Sequence, residues 1–484
     1  VCWPSMKFSR IVVWFRNDLR LHDNEALSRA VEQGGEVIPV VCLDPRLFTK
    51  TDLGFRKTGS FRTNFLFEAI ADLQKSFQGI GADLVVLKGK PEEVLMDFAV
   101  QHQVKAVFFS KEVTSEERNV DKSLEKGLFS HGIACESFWQ STLFHLDDLP
   151  FPVKQTPEVF TQFRKELEKS SPIRKEFPAP KKINFPKVIL ESSRKEIPSL
   201  KSFGLDKPKQ DEKSWLEMKG GESSALGRLQ SYFWEKDLLK TYKQTRNGFL
   251  GMDYSSKFSP WLALGCISPR KIYFEVKRYE RERKKNDSTY WLIFELIWRD
   301  YFRFIAKKHG NKIFKLEGIR DQKDSWRRDR DLFHRWIEGK TGVPFVDANM
   351  RELKFTGFMS NRGRQNVASF LVNDLGIDWT WGASYFESQL IDYDVCSNWG
   401  NWMYVAGVGN DPRENRYFNI LRQGKNYDPH GEFIRHWIPE LKRIQGFDIH
   451  QPWNLSTSEL RSLKIQLGHT YPQPIIDFVQ GFSY

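Results

Sequence analysis

A chain of 484 residues, 40% hydrophobic and 28% charged, is long enough for two full-sized cores and too apolar for a disordered protein. Its net charge of +12 and pI near 9.2 favour a polyanionic partner such as nucleic acid, a merely soluble basic protein being the plainer alternative. Five scattered cysteines (Cys2, Cys42, Cys135, Cys266, Cys396) with no Cys-x-x-Cys pair argue against a disulfide framework or a zinc site and for a reducing compartment, and no apolar run nears the roughly 18 residues of a membrane span.

Residues 1–141 alternate short β-branched or aromatic runs with amphipathic stretches. Strands are predicted at Ile11–Phe15, Val37–Leu43, Leu84–Leu87, Ala106–Phe109 and Cys135–Phe138. Helices are predicted at His22–Glu32, Ser60–Gln78, Pro91–Gln101 and Ser115–Phe129. This alternation predicts a doubly wound parallel sheet. No Gly-x-Gly-x-x-Gly follows the first strand, so a Rossmann dinucleotide site is not expected. Residues 142–213 are Lys/Glu/Ser-rich and punctuated by prolines from Pro150 to Pro208. They read as a long inter-domain connection over the surface, with one helix at Pro157–Lys169. From Ser214 to Tyr484 helical periodicity takes over, so the fold class is an α/β domain, a long linker and a large all-helical domain (1–141, 142–213, 214–484).

Three stretches of the helical half carry chemistry. In Ser255-Ser256-Lys257-Phe258-Ser259-Pro260-Trp261-Leu262-Ala263-Leu264-Gly265, Ser259-Pro260 reads as an N-cap and first-turn proline, a device repeated at Ser268-Pro269. Free N–H groups, hydroxyls and Lys257 at a helix start suit a diphosphate; two capped helices and a polar turn are the plain account. From Trp291 to Arg303 runs a strongly apolar helix on which Glu295 and Arg299, four apart, share a face beside Trp298. An i,i+4 ion pair is the simplest reading of them. From Met350 to Tyr404, Asn361, Arg362, Arg364, Trp379, Asp392, Asp394, Asn398 and Trp402 stand among apolar helix formers. Buried polar groups need partners, and a large planar ligand with a polar edge would supply them. Helix capping or surface charge is the alternative for Asp392 and Asp394. The 16 tryptophans are either packing aromatics or stacking and electron-transfer groups.

The 350–404 stretch resembles the flavin pocket of the photolyase/cryptochrome family, and its details resemble the DASH branch, of plant type. The 255–265 segment resembles that family's T-S-x-L-S-P-Y-L-A-L-G motif, and Val12–Asn24 its first-strand signature, whose role is read as architectural, with Arg20 and Asp23 as a possible loop ion pair. The resemblance covers nearly the whole chain and implies bound FAD. It puts Tyr242, Ser255, Ser256, Lys257 and Ser259 on the diphosphate, Arg364 and Asp392 as a salt bridge beside the isoalloxazine, and Asp392 and Asp394 as acceptors at the flavin edge and ribose. It makes Asn398 a further pocket residue. Asn361 faces flavin N5; an amide has no ionisable proton to give, which favours the fully reduced anionic flavin. Trp402, Trp379 and Trp326 match an electron relay to the surface.

The motif E-L-x-W-R-E implies that Glu295 hydrogen-bonds a flipped pyrimidine dimer, Trp298 stacks on it and Arg299 contacts phosphate; Asp300 replaces the last Glu, as in the DASH branch. Tyr404 stands where duplex-acting relatives have a second stacking Trp, and Gln365 where they have Met. Stacking is worth roughly 1–3 kcal/mol per base and extruding a base from a duplex costs a few kcal/mol, so a pocket with less stacking area favours single-stranded or looped DNA, with RNA as an alternative partner. Arg246, Arg362 and Arg416 match further phosphate contacts. Glu116 and Glu117 match residues that hold a 5,10-methenyltetrahydrofolate antenna; a deazaflavin or no antenna are alternatives, and carboxylates favoured by a helix N-terminus the plain account. The activity so implied is blue/near-UV light-dependent repair of cyclobutane pyrimidine dimers by electron transfer from reduced FAD, a carbon–carbon lyase reaction with no metal. The rival reading is a blue-light photoreceptor or nucleic-acid-binding regulator without repair activity. A soluble intracellular protein with no obligate protein partner is expected, and the resemblance implies a chloroplast or mitochondrion, the targeting segment being out of view before Val1.

Overall fold

β1 (Phe8–Phe15), β2 (Gly34–Leu43), β3 (Val85–Lys88), β4 (Ala106–Ser110) and β5 (Ala134–Phe138) pair in parallel in the order β3-β2-β1-β4-β5. α1 (Glu25–Gln33), α2 (Ser60–Gln78), α3 (Pro91–Gln101) and α4 (Ser115–Ser130) alternate with them. This is the predicted doubly wound sheet, and its central strands β1 and β4 are buried on both faces, as helix-covered parallel strands are. The computed structural model describes residues 8–187, 189, 196–209, 214, 218–413 and 416–477; Cys2 and the expected end of the connection at 210–213 lie outside them.

Three local departures have identifiable causes. β1 and β2 each begin three residues early, because Gly34 and Gly35, which read as a turn, continue the ladder opposite Phe8. A Cβ at Gly34 would lie 2.7 Å from the Ala30 carbonyl, so glycine allows this close approach. α1 starts at Glu25 rather than His22, since Asn24 is the cap and accepts from the Leu27 amide at 3.0 Å. The residues before it dock onto the helical half instead. The amides of Leu21 and His22 donate to Glu222 at 2.7 and 3.1 Å. The Leu19 amide donates to the Leu264 carbonyl at 3.1 Å. Asp23 takes a two-pronged, fully buried ion pair from Arg270 at 2.6 and 2.9 Å. The expected Arg20–Asp23 loop pair is thereby corrected: Arg20 donates to the carbonyls of Gly265 and Asp23, both at 2.8 Å.

The connection is also corrected. It is not draped over the surface, because α5 (Phe160–Ser170) buries Phe160, Phe163 and Leu167, and Ile183 and Phe185 are buried beyond it. At its start the Leu143 and Phe144 amides donate to Asp300 at 3.0 and 2.8 Å. The second half is helical: α6 (Glu222–Gln230), α7 (Tyr242–Thr245), α8 (Ser259–Ala263), α9 (Pro269–Glu282), α10 (Asp287–His309), α11 (Arg330–Ile337), α12 (Pro344–Thr356), α13 (Asn361–Ser369), α14 (Trp379–Gln389), α15 (Val395–Val405), and three short helices after them. α10 opens on an Asn286 capping box, is the longest, and packs against α5, α7, α9 and α15. Among the described residues no helix is long and apolar enough to cross a membrane.

Candidate functional site

α7, α8, α10, α13 and α15 surround a cavity of about 1190 Å³, which continues past Asn361, Arg364, Asp392 and Asp394 into a second lobe of about 720 Å³. The first lobe gathers Tyr242, Arg246, Ser255, Ser256, Lys257, Ser259, Glu295, Trp298 and Arg299. The second gathers Gln365, Asn398, Trp402, Tyr404 and Arg416, and Asn361 stands at the seam. Residues far apart in the chain, each singled out in the sequence, thus line one space. Trp379, Trp326, Arg362, Glu116 and Glu117 do not line it.

Lys257 is the strongest chemical signal in the first lobe. It is 3% exposed and holds φ at 54°, a left-handed conformation costly for a residue with a side chain. Its ammonium lies 3.6 Å from the Tyr254 ring centroid and 4.6 Å from that of Phe358, and has no hydrogen-bond partner. Burial drives its pKa down to about 7, against the pull of Glu352. Glu352 is itself buried, with Oε2 unpartnered; burial raises its pKa to about 8 while Lys257 opposes. A buried cation without an acceptor in a cavity wall, next to three serines, is what a diphosphate would satisfy, so the residues present fit the phosphate end of FAD. Neither Glu352 nor Tyr254 stands out in the sequence, since Glu352 shares its helix with Asp347, Arg351 and Lys354.

Ser259 is corrected as a cap. It is the first residue of α8 rather than its cap, and Phe258 before it already has helical dihedrals. Its hydroxyl instead donates to Asp392 Oδ2 at 2.6 Å, where Arg364 also donates at 2.7 Å. Ser268 does cap α9, accepting from the Lys271 amide at 2.9 Å. Asp392 is therefore no helix cap; one oxygen is held by two donors and Oδ1 has no partner, leaving an oriented acceptor for a ligand N–H or O–H. Asp394 is a cap: it accepts from the Ser397 amide at 2.8 Å and pairs with Arg303 at 3.3 Å and Arg299 at 3.5 Å. Burial works against its charge, but the two arginines and the Ser397 hydrogen bonds prevail and hold it at about 2. Arg303 in turn grips Glu112 of the α/β half at 2.8 Å, so a buried ion chain joins the sheet to the cavity.

The expected Glu295–Arg299 pair is not made. Glu295 pairs with Arg246 at 2.8 Å, and burial raises its pKa while Arg246 opposes. Arg299 turns inward to the Ser141 carbonyl, to that of Leu262 at 3.3 Å and to Asp394. Both of its terminal nitrogens are thus engaged within the protein, although the residue lines the first lobe. The rings of Trp298 and Tyr404 stand at 88° with centroids 5.9 Å apart, a perpendicular wedge in which Trp298 lines the first lobe with Glu295 and Tyr404 the second with Gln365. Gln365 Oε1 has no partner. Arg416 bonds Asp411 and lies 5.0 Å over the Tyr404 ring, while Arg362 donates to Asn247 at 3.3 Å and lies 4.7 Å over Tyr427.

Trp402 lines the second lobe, and its ring abuts Gly382, where a Cβ would come within 2.2 Å. Gly382 lies one turn along α14 from Trp379, which is wholly buried, edge-on to Trp399 at 5.7 Å, and donates to the Leu316 carbonyl at 3.0 Å. The half-buried Trp326 belongs to a loop tied to the start of α14: the Arg327 amide donates to Gly376 at 2.8 Å, and that of Asp378 to Arg327 at 3.0 Å. Glu116 and Glu117, at the start of α4, line a separate crevice of about 970 Å³ with Lys57, Arg62, Glu387, Tyr393 and Trp399. Lys57 bonds Glu116; Glu117 takes the Thr114 hydroxyl, and burial followed by the neighbouring Glu112 raises its pKa.

Comparison with known proteins agrees with this geometry. The model of the family described as FAD binding domain of DNA photolyase matches residues 291–482, and that of DNA photolyase matches residues 11–181. Cryptochrome DASH of Gloeobacter violaceus is 53% identical over 476 residues, 98% of this chain and 95% of that protein. Among solved structures, a cryptochrome of Synechocystis sp. superposes with a TM-score of 0.93 at 53% identity, covering 97% of each chain. A bacterial class III photolyase from Agrobacterium tumefaciens gives 0.83 at 32% identity, over 98% of this chain and 95% of that one. With a photolyase-type parallel sheet, a helical FAD-binding half, and half of its residues shared along nearly its whole length, this chain belongs to the cryptochrome DASH branch of the photolyase/cryptochrome family.

Proposed function

We propose that the chain carries out blue/near-UV light-dependent repair of cyclobutane pyrimidine dimers, preferentially in single-stranded or looped DNA, as a carbon–carbon lyase. The observation that carries this reading is the perpendicular Trp298–Tyr404 wedge beside Glu295, at the seam of a cavity whose other end presents a buried, unpartnered lysine. Bound and reduced, FAD supplies an electron donor that light excites. Lys257, with Tyr242, Ser255, Ser256 and Ser259, holds the diphosphate end. The Arg364–Asp392 pair fixes the polar edge through the free Asp392 Oδ1, and Asn398 lines the same wall. Asn361 at the seam offers an amide without an ionisable proton. Trp298 and Tyr404 receive the two joined bases, and Glu295, steadied by Arg246, hydrogen-bonds one of them, while Gln365 gives the wedge a polar floor. Arg362 and Arg416 stand by the mouth for the backbone phosphates. Trp402, Trp379 and Trp326 pass electrons inward from the surface.

In this reading residues 1–141 are an antenna domain, 142–213 a connection and 214–484 the catalytic domain. The Glu116–Glu117 crevice is the place for a 5,10-methenyltetrahydrofolate antenna. The single-strand preference rests on the single indole and on the cost of duplex extrusion. One observation favours a second reading, a light receptor or nucleic-acid regulator: the Arg416 guanidinium over the Tyr404 ring competes with a base for that face. Irradiating the flavin-loaded protein with dimer-bearing single-stranded and duplex oligonucleotides side by side decides between them. Faster repair of the single strand is expected; no repair of either form leaves only the receptor reading.

A further inference from the structure

We infer that Phe160, carried by the inter-domain connection, is a positioning residue for Trp298 and sets how tightly the wedge grips a dimer; the inference rests on the substrate reading of Trp298 above. The Phe160 ring lies face-on to the Trp298 indole, centroids 3.6 Å apart and planes 8° apart. One face of the indole is thus sealed by a residue that no motif of the helical half contains. The remaining neighbours meet it at an angle: Phe302 at 5.6 Å and 31°, Tyr301 at 5.6 Å and 85°, and Tyr404 across the wedge. Only the indole surface away from Phe160 is left to face the cavity.

Phe160 is itself immobilised. It is buried, with Phe294 and Tyr301 edge-on to it at 5.1 and 5.6 Å. The backbone leading to it is clamped from two sides. From α10, Lys308 donates to the Thr156 carbonyl at 2.6 Å and pairs with the Glu158 carboxylate at 2.5 Å; His309 reaches that carboxylate at 3.0 Å, and the Tyr301 hydroxyl donates to the Glu158 carbonyl. From beyond α15, the Asn410 amide donates to the same carboxylate. α10 carries Trp298 and α15 carries Tyr404, so this clamp holds both walls of the wedge to one short stretch of the connection. A flat aromatic fixed before the substrate arrives binds without first losing rotamer freedom, which is preorganisation.

The test is dark binding of a single-stranded oligonucleotide bearing one cyclobutane thymine dimer, with the undamaged strand as control. Leucine keeps most of the side-chain volume and removes the ring, so Phe160→Leu is expected to fold, retain FAD and bind the dimer strand ~3–10-fold more weakly. Phe160→Tyr is expected to bind like the wild type. In a Trp298→Ala background, Phe160→Leu should cause no further loss, because its effect acts through the indole. Wild-type affinity in Phe160→Leu, or a loss that adds in full to that of Trp298→Ala, overturns the inference while leaving the substrate reading intact. Wild-type affinity in Trp298→Ala overturns both.

Discussion

Replacing Lys257 by methionine should move the stability of the flavin-free protein and its affinity for FAD in opposite directions. Burial takes the lysine from its ordinary 10.5 down to about 7. At 1.36 kcal/mol per pH unit, keeping it protonated without a counter-ion costs about 5 kcal/mol. The folded pKa lies below the unfolded one, so between pH 7 and 10.5 the unfolded chain binds a proton that the folded chain has shed. Lys257 alone therefore adds stability as pH rises above 7, whereas Glu352, raised from 4.5 to about 8, removes stability up to pH 8, so the flavin-free wild type should show a net gain only above pH 8. Lys257→Met removes the charge and keeps most of the volume, so its flavin-free form should melt higher at pH 6, and the gain above pH 8 should disappear. Affinity should go the other way, since a charge-assisted hydrogen bond to phosphate is worth roughly 1.5–3 kcal/mol, a loss of ~10–150-fold. Melting curves from pH 6 to 9 and a fluorescence titration with FAD read both. A methionine variant that binds FAD as well as the wild type would refute the diphosphate role, and an unchanged pH slope would refute the burial argument.

Three more outcomes follow from buried groups. Asp23→Ala leaves Arg270 charged and alone at the domain junction, where both side chains are at most 4% exposed, and should cost about 3–5 kcal/mol in urea unfolding; a loss under ~1 kcal/mol would mean the junction is held elsewhere. Asp394 sits at about 2, below its ordinary 3.8, so its contribution of about 2 kcal/mol is fully present above pH 3.8 and disappears as pH falls through 2. The gap between wild type and Asp394→Asn should thus close in acid, and a gap constant from pH 7 to 2 would contradict it. Trp379→Phe should photoreduce bound flavin at least ~10-fold more slowly; a wild-type rate would remove Trp379 from the relay.

Much of this molecule is legible in the chain because it rests on periodicity. The α/β half shows itself through strand-length apolar runs at helix-length intervals, and its boundaries move where Gly34 and Gly35 pair instead of turning and where Asn24 caps α1. The connection looks like surface chain because prolines and lysines dominate its composition, while Phe160, Phe163 and Leu167, which anchor it, are sparse. Spacing placed Glu295 and Arg299 on one helical face but could not show Arg246 arriving from α7 to take the carboxylate, or backbone carbonyls claiming Arg299. The same limit separates Asp392 from Asp394: two positions apart in sequence, one is held by Arg364 and Ser259 and the other caps α15. The orphaned Lys257 and Glu352 are visible only in three dimensions, because being without a partner is a property of the surroundings and not of the residue.

The central claim is that this cavity sets reduced FAD within electron-transfer reach of a dimer held between Trp298 and Tyr404. The fluorescence lifetime of the reduced, flavin-loaded protein, measured with saturating dimer-bearing single strand and with the undamaged strand, tests it most directly. A shortened lifetime with the dimer strand alone, lost in Trp298→Ala, is the expected result. An identical lifetime with both strands, at proven saturation, would contradict it.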